Sequence, residues 1–328
     1  MKNLVKRAIR KQPAFCLLTS IVLLLAFSLP LGARESATPK FEKINVIMIG
    51  GRLIDVTYHL GFIPEAISAC CSSYVGNEIK AQTHHIGCPG KLIQNQADKL
   101  EKISKKSGIN QIFLEKNLKS CSVDNISKTI SKVLNQTDNH YTIKYVDFSQ
   151  GLESATRQVA KLLGCRENGE TLIRSYRKKI TGIKKELPQI SRGKKVIIVH
   201  GIYQKTTGKT FLMVEAPGGY SDEFMLKPLG CVNVADVFKS EKTKTRHGRF
   251  MIRNLDALAE AQPDAIVMLG DAFAVQKAIE KNIKKNPNLF QKVPAIKKMA
   301  FYSLPAYTDF SIFEYPAVLK QWVEALAD

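Results

Sequence analysis

The stretch INVIMIGGRLIDVTYHLG, residues 44–61, decides the fold class of this chain. Apart from Asn45, Ile44–Ile49 is a short run of apolar residues, which is typical of a strand buried on both faces. Gly50 and Gly51 interrupt this run, and apolar residues then recur at helical spacing until Gly61 ends the pattern. A buried strand followed directly by an amphipathic helix predicts the first unit of an α/β domain.

The same alternation continues along the chain. Helical periods separate most of the apolar runs, which favours an α/β fold with largely parallel sheets. Two consecutive helices at 152–162 and 172–187 have no strand between them, and we place the junction of two similar lobes there. The further predicted strands are Ile63–Cys70, Thr83–Ile86, Gln111–Glu115, Tyr141–Phe148, Lys195–Val199, Phe211–Glu215, Ala265–Leu269 and Met299–Leu304.

The first 33 residues have the features of a secretory signal peptide. Basic residues precede an apolar run from Ala14 to Leu29, and small residues follow up to Ala33. Hydroxyl residues interrupt the run, which is also shorter than the roughly 20 residues of a membrane-spanning helix. We therefore expect export and a soluble protein in the periplasm after removal of residues 1–33; an uncleaved membrane anchor is the alternative.

The chain is strongly basic, with a formal net charge of +20, or about +15 without the basic residues of the signal segment. One interpretation of this charge is a basic surface that water solvates, without a specific partner. The other is a preference for an anionic ligand, membrane surface or partner. We expect no nucleic acid partner, because an exported chain without stacking motifs or a recognisable binding module does not fit that class.

Thiol and imidazole side chains crowd into residues 70–88. Soft thiolates and imidazoles on converging loops suit a late first-row or thiophilic metal. Neighbouring residues on a strand point to opposite faces, so His84 and His85 cannot both reach one site. Disulfide bonding in an oxidising compartment and simple buried packing are the other two interpretations, and the sequence leaves all three open. The predicted metal ligands are Cys70, Cys71, His85, Cys88 and Cys121.

Four segments carry a resemblance to a known family: residues 44–61, LGCVNVAD at 229–236, LDALAEAQPDAIVMLGD at 255–271 and VPAIKKMAFYSLPAY at 293–307. They resemble, in order, segments of the periplasmic binding proteins that serve ABC importers for cobalamin, ferric siderophores and heme. The second is similar to the family's Gly-Gly-x-Asn-Val signature, with Cys231 where glycine is usual.

The resemblance implies two Rossmann-like lobes joined by one long bridging helix, with the ligand in the cleft between them. The implied domains are an N-terminal α/β lobe at 34–149, the bridging helix at 150–165 and a C-terminal α/β lobe at 166–328. It also implies a monomer that docks on an ABC permease of the inner membrane through acidic residues, for which Glu65 and Glu223 are candidates.

Ligands of open α/β sheets bind beyond the carboxyl ends of the strands. Arg52 follows such an end and can bind a carboxylate through two hydrogen bonds, while Tyr203 can stack on a flat ligand. We add Cys231 because it lies in the signature segment. The predicted ligand-binding residues are Gly51, Arg52, Cys70, Cys71, Lys116, His200, Tyr203 and Cys231.

An exported enzyme is the main rival function. The chain contains no G-x-S-x-G, H-E-x-x-H or C-x-x-C motif. We therefore predict a non-enzymatic substrate-binding protein of an ABC importer, without a catalytic cofactor, that carries a metal ion complex or a siderophore, heme or cobalamin type of metal chelate. The alternatives are an exported metallochaperone, a sensor or a thiol-dependent enzyme on the same fold.

Overall fold

A computed structural model describes most of the chain after residue 40. Phe41–Asp328 form one compact unit, which contains both sheets of the molecule. The predicted signal peptide lies outside the described residues. The described residues are 41–69, 77–92, 97–118, 127–136, 140–187, 193–239, 245–246, 248–308 and 311–327.

The first sheet, as far as it is described, has five parallel strands in the order β3-β2-β1-β4-β5. Its strands are β1 (Glu42–Ile49), β2 (Phe62–Ser68), β3 (His84–Gly87), β4 (Gln111–Lys116) and β5 (Thr142–Asp147). The helices of this lobe are α1 (Gly51–His59), α2 (Asn77–Gln82), α3 (Pro89–Lys91), α4 (Ala97–Ser107) and α5 (Ser127–Asn135). The strand order reverses between β1 and β4, where open α/β sheets bind their ligands.

Strand β1 is apolar on both faces because it lies in the middle of this sheet. Val46 and Met48 belong to the core on one face, whereas Ile47 and Ile49 belong to the core on the other. Burial on both faces explains the continuous apolar run Val46–Ile49 in the sequence. The predicted strand and the helix that follows it are thus confirmed.

The second sheet is mixed, with the order β12-β11-β6-β7-β10-β9 and β8 paired to β6. The strands β12, β11, β6 and β8 are parallel, while β7, β10 and β9 follow one another in antiparallel pairs. The expectation of largely parallel sheets therefore holds for only part of this lobe. Its strands are β6 (Lys195–Gln204), β7 (Lys209–Glu215), β8 (Val232–Asn233), β9 (Thr245–Arg246), β10 (Arg249–Ile252), β11 (Ala265–Gly270) and β12 (Phe301–Ser303).

The helices of the second lobe cover both faces of this sheet. Within the described residues, no helix of the molecule is both long and apolar enough to cross a membrane. Two helices, α6 (Leu152–Leu162) and α7 (Arg166–Glu186), come between β5 and β6 in the order of the chain. The helices after β7 are the π-helical turn Asp222–Leu226, α8 (Lys227–Leu229), the 3-10 turn Ala235–Phe238, α9 (Leu258–Ala261), α10 (Ala272–Lys285), α11 (Pro287–Phe290), α12 (Pro294–Lys297), the 3-10 turn Ile312–Glu314 and α13 (Tyr315–Leu326).

Helix α7 contacts the cores of both lobes. Leu172 and Tyr176 pack on the core of the first lobe, and Ile183 is buried in the core of the second. The predicted bridging segment, residues 150–165, instead contains α6, which packs in the first core. We propose α7 as the bridging helix, and the domain bounds on either side of it stay a prediction.

The chain also returns once from the second lobe to the first. Phe313 is buried in the first core, and its backbone N–H donates to Asp55 Oδ2 over 3.2 Å. Helix α13 then packs in the second core, where Trp322 is fully buried. In the described part of the chain, helix α7 and the segment around Phe313 therefore both link the two lobes.

Candidate ligand site

Charged side chains gather at the carboxyl ends of the strands in the first sheet. Arg52 lies in the first turn of α1 directly after β1, and Lys116 and Asp147 end β4 and β5. Strand β4 pairs with both β1 and β5, so these three strand ends are neighbours. The predicted ligand residues Gly51, Arg52 and Lys116 therefore lie on one edge.

Arg52 is held in place by a buried carboxylate and an aromatic ring. Its Nε donates to Glu115 Oε1 over 2.7 Å, and its guanidinium lies 4.7 Å from the centre of the Phe148 ring. Glu115 is 1% exposed, whereas 26% of the Arg52 side chain remains accessible. Glu115 and Phe148 thus hold the guanidinium in place, while the partly accessible Arg52 side chain can still meet an anionic ligand.

Lys116 and Asp147 form an ion pair on the same edge. Lys116 Nζ lies 2.9 Å from Asp147 Oδ2, and the backbone N–H of Ser149 donates to Asp147 Oδ1 over 2.8 Å. The hydrogen bonds from Ser149, followed by Lys116, lower the pKa of Asp147 to about 2. The carboxylate therefore stays ionised and neutralises part of the charge of Lys116.

The lowered pKa of Asp147 predicts a loss of stability in acid. A carboxyl with a folded pKa of about 2 and an unfolded pKa of about 3.9 stabilises the fold above pH 4 and loses this effect as the pH falls toward 2. The gap in unfolding free energy between the wild type and Asp147→Asn should therefore narrow between about pH 5 and pH 2. Urea unfolding at several pH values measures it, and two parallel curves would contradict the prediction.

His200 is buried at the second sheet, where its Nε2 lies 2.9 Å from Glu215 Oε2. Burial lowers the pKa of His200 and outweighs the opposing hydrogen bond with Glu215. Burial alone would raise the pKa of Glu215, but the hydrogen bond with His200 and a backbone N–H outweigh it, so that pKa is lowered. A neutral His200 that donates to an ionised Glu215 satisfies both side chains.

Glu215 also organises the turn that follows β7. Its Oε1 accepts the backbone N–H groups of Ser221 and Asp222 over 2.5 and 3.1 Å. A Cβ on Gly219 would lie 2.5 Å from the Glu215 side chain, so only glycine fits there. His200 was predicted as a ligand residue, and its described side-chain contact is with this structural carboxylate.

Tyr203 lies near the exposed end of β6, beside two further aromatic side chains. Phe211 lies on the neighbouring strand β7, where it pairs with Ile202, the residue before Tyr203. Phe273 lies in the first turn of α10. All three rings line a groove of about 1000 Å³. Tyr203 is among the ligand residues predicted from the sequence, whereas Phe211, the first residue of a predicted strand, and Phe273, in the helix after another predicted strand, are not.

The predicted metal set is only partly described. Cys70, Cys71 and Cys121 lie outside the described residues. His85 is exposed on β3, and its pKa is lowered by burial, Lys80 and Lys99; Cys88 is half-buried just after the strand. Among the described side chains, no group of three or more His, Cys, Asp or Glu residues is placed to hold a metal ion.

Cys231 lies at the opposite end of the second sheet from Tyr203. It is 7% exposed in the core of the second lobe, and burial raises the pKa of its thiol to about 11. The adjacent Val232 pairs with Lys195 at the amino end of β6, whereas Tyr203 lies eight residues further along that strand. At about 3.3 Å per residue the separation is about 26 Å, so we remove Cys231 from the candidate site.

Comparison with known proteins gives a family match and several similar folds. The family model described as periplasmic binding protein matches residues 112–308, more than half of the chain. No protein of curated function matches significantly by sequence.

Three solved structures illustrate the likeness in fold. The periplasmic heme-binding protein BhuT in complex with two hemes has 16% identity and a TM-score of 0.58, over 87% of this chain and 100% of that chain. The periplasmic heme-binding protein RhuT from Roseiflexus sp. RS-1, in apo form, has 14% identity and a TM-score of 0.58, over 88% and 98%. The triscatecholate siderophore-binding protein FeuA from Bacillus subtilis, complexed with ferri-bacillibactin, has 16% identity and a TM-score of 0.52, over 85% and 91%. The predicted α/β fold of two Rossmann-like lobes is confirmed.

Proposed function

Since this chain belongs to the periplasmic binding protein family, we propose that it is the substrate-binding protein of an ABC importer. It captures an iron chelate of the heme or siderophore type between its two lobes and delivers the chelate to the permease. The ligands named for similar proteins, two hemes and ferri-bacillibactin, support this substrate class.

The observation that carries the proposal is the chemistry of the strand ends. Tyr203, Phe211 and Phe273 are 51%, 37% and 62% exposed at the edge of the second sheet. Arg52 and Lys116, each paired with a carboxylate, offer N–H donors at the edge of the first. Aromatic rings stack on flat ligands, and cations bind the anionic oxygens of carboxylates and catecholates. The two edges therefore suit an intact organic chelate better than a bare metal cation.

The iron in such a ligand already has its donor atoms. A protein that captures the whole chelate needs surfaces for the organic part and not a complete set of thiolate ligands. The predicted metal set of Cys70, Cys71, His85, Cys88 and Cys121 is therefore not needed for this function, and it stays a separate expectation. Cobalamin, in which a corrin ring holds cobalt, would need the same kind of organic surface and is the alternative cargo.

Export and docking complete the proposed role. Residues 1–33 direct the chain to the periplasm, where a monomer without catalytic activity binds its cargo. Glu65 and Glu223 are the proposed docking residues: Glu65 Oε2 lies 2.7 Å from Lys43 Nζ, and Glu223 pairs with Lys227. Docking would replace these lysines with cationic partners on the permease.

Tyr203→Ala tests the role of the aromatic edge. Removing an exposed ring that stacks on the ligand should raise the Kd for heme or a ferric siderophore about tenfold, with the fold unchanged. Absorbance titration of the purified protein measures this Kd. Tyr145→Ala is the matched control, because Tyr145 is 47% exposed on β5 of the other lobe, away from the aromatic edge.

The results separate the role of Tyr203 from the function as a whole. Equal affinity of both variants and the wild type would remove Tyr203 from the site. A wild-type protein that binds neither heme nor ferric siderophores at micromolar concentrations would contradict the proposed function itself.

A further inference from the structure

The groove beside Tyr203 runs along helix α10, away from the strand edge. Ala274 and Ala278 are small residues of α10 that leave room on this side of the helix. Leu212 and Ile252, on the paired strands β7 and β10, line the opposite wall. All described residues that line the groove belong to the second lobe, so this lobe can form it alone.

A row of lysines follows one wall of the groove. Lys277, Lys281 and Lys285 are spaced four residues apart on α10, so their backbones rise by about 6 Å from one to the next. All three side chains are exposed. Like charges at this spacing repel each other and destabilise a helix. A bound anion would reduce this repulsion. Arg253, which follows β10, adds a fourth cation from the other side.

The described lining residues supply little negative charge against these four cations. Asp271 is the one carboxylate among them, and its Oδ1 accepts the backbone N–H of Ala274 at the start of α10 over 3.0 Å. An ion pair requires a nitrogen-to-oxygen distance of at most 4.0 Å, and no described carboxylate oxygen lies that close to the side-chain nitrogens of Lys277, Lys281, Lys285 or Arg253. The groove therefore carries a net positive charge that the described part of the fold does not neutralise.

Aromatic rings stand where the groove meets the strand edge. Lys277 Nζ lies 4.5 Å from the centre of the Phe273 ring, and Tyr203 lines the same end of the groove. A ligand at the strand edge can therefore stack on these rings while its acidic groups extend along the lysines. Rings at one end and cations along the wall together select an aromatic polyanion.

We propose that this groove binds the negatively charged part of the transported chelate, so that the cargo is an aromatic polyanion. The inference deepens the proposed function and rests on it. Two ligand sources share this chemistry: a tetrapyrrole with carboxylate side chains, and a ferric catecholate. A cationic ferric hydroxamate lacks it and should be rejected.

The test compares two triple variants with the same change of charge. The groove variant is Lys277→Gln, Lys281→Gln and Lys285→Gln. The control variant is Lys178→Gln, Lys179→Gln and Lys284→Gln, which alters exposed helical lysines outside the groove. Isothermal titration calorimetry of both variants and the wild type uses heme, a ferric tris-catecholate, cationic ferrioxamine and metal-free benzenehexacarboxylate as probes, each at low and high salt.

The groove variant should bind the preferred anionic chelate about tenfold more weakly than the wild type, with a smaller dependence on salt. The control variant should keep the wild-type affinity. Whichever of heme and the catecholate binds more tightly identifies the source, and benzenehexacarboxylate should lose affinity in the groove variant alone. Circular dichroism establishes that both variants are folded.

Each contrary outcome has its own meaning. If the chelates bind but both triple variants match the wild type, the groove inference is wrong and the proposed function stands. If ferrioxamine binds as tightly as the anionic chelates, the charge selection is wrong. If only benzenehexacarboxylate binds, and binds through the groove lysines, the groove is a polyanion site and the iron-chelate function is wrong. If no probe binds, both are wrong.

Discussion

Replacing Gly50 with alanine should lower the free energy of unfolding by about 3 kcal/mol. The φ angle of Gly50 is +132°, a conformation that residues with a Cβ rarely adopt. A Cβ at this position would lie 2.4 Å from the Cβ of Glu115, which is itself buried and bonded to Arg52. Because the new methyl group meets a buried side chain, both the turn and the Arg52 support must shift. Urea unfolding followed by circular dichroism measures the loss.

Gly61→Ala is the matched control for this substitution. Gly61 also has a positive φ, +90°, but no atom lies within 4 Å of the position that its Cβ would take. Its loss should be confined to backbone strain, about 1 kcal/mol. Equal losses for the two variants would show that the contact with Glu115 does not matter, and no loss for Gly50→Ala would contradict the described conformation of this turn.

Glu215→Ala should cost about 3 kcal/mol of unfolding free energy. The carboxylate accepts hydrogen bonds from the backbone N–H groups of Ser221 and Asp222 and lies against the buried ring of His200. An alanine would leave these buried groups without their acceptor and would open a cavity under the turn. The expected result is a lower urea midpoint, with little change in the slope of the transition.

Two further variants make this result specific. Glu280→Ala removes an exposed carboxylate from α10 and should change stability by less than about 0.5 kcal/mol. Glu215→Gln keeps one acceptor oxygen for the backbone N–H groups and should fall between the wild type and Glu215→Ala. If Glu215→Ala were as stable as the wild type, the buried network would not support the turn.

Local patterns in the sequence were sufficient to predict most of the fold. The apolar run of β1 and the glycines that follow it report burial on both faces and a tight turn, which depend on residues near each other in the chain. The same logic located β4, β5, β6 and β11. The antiparallel strands β9 and β10 were not predicted, because their short segments have no clear period of their own.

Contacts between distant residues were less accessible. His200 was predicted as a ligand residue because it follows an apolar run, but the sequence contains no sign that Glu215 on the neighbouring strand would bond to it. Cys231 was included through its place in the signature segment. The adjacent Val232 pairs with Lys195 at the amino end of β6. Only this strand register reveals that Cys231 lies at the end of the sheet opposite to the proposed ligand edge.

The roles of the proposed bridging helix and of the lysine row depend on the folded structure. The sequence predicts two helices in succession, but which of them reaches both cores depends on where those cores lie. The four-residue spacing of Lys277, Lys281 and Lys285 is visible in the sequence, where it resembles an ordinary solvated face. The opposite wall, formed by β7 and β10, makes that face one side of a groove.

Helix α7 and the return of the chain at Phe313 restrict how the two lobes can move relative to each other. Moving α7 against either core, or taking Phe313 out of the first core, costs free energy, so these contacts favour one arrangement of the lobes. A binding protein held in this way would incur part of the entropy loss of closure during folding. The fit of the proposed cargo between the lobes would then contribute to selectivity as well as to affinity.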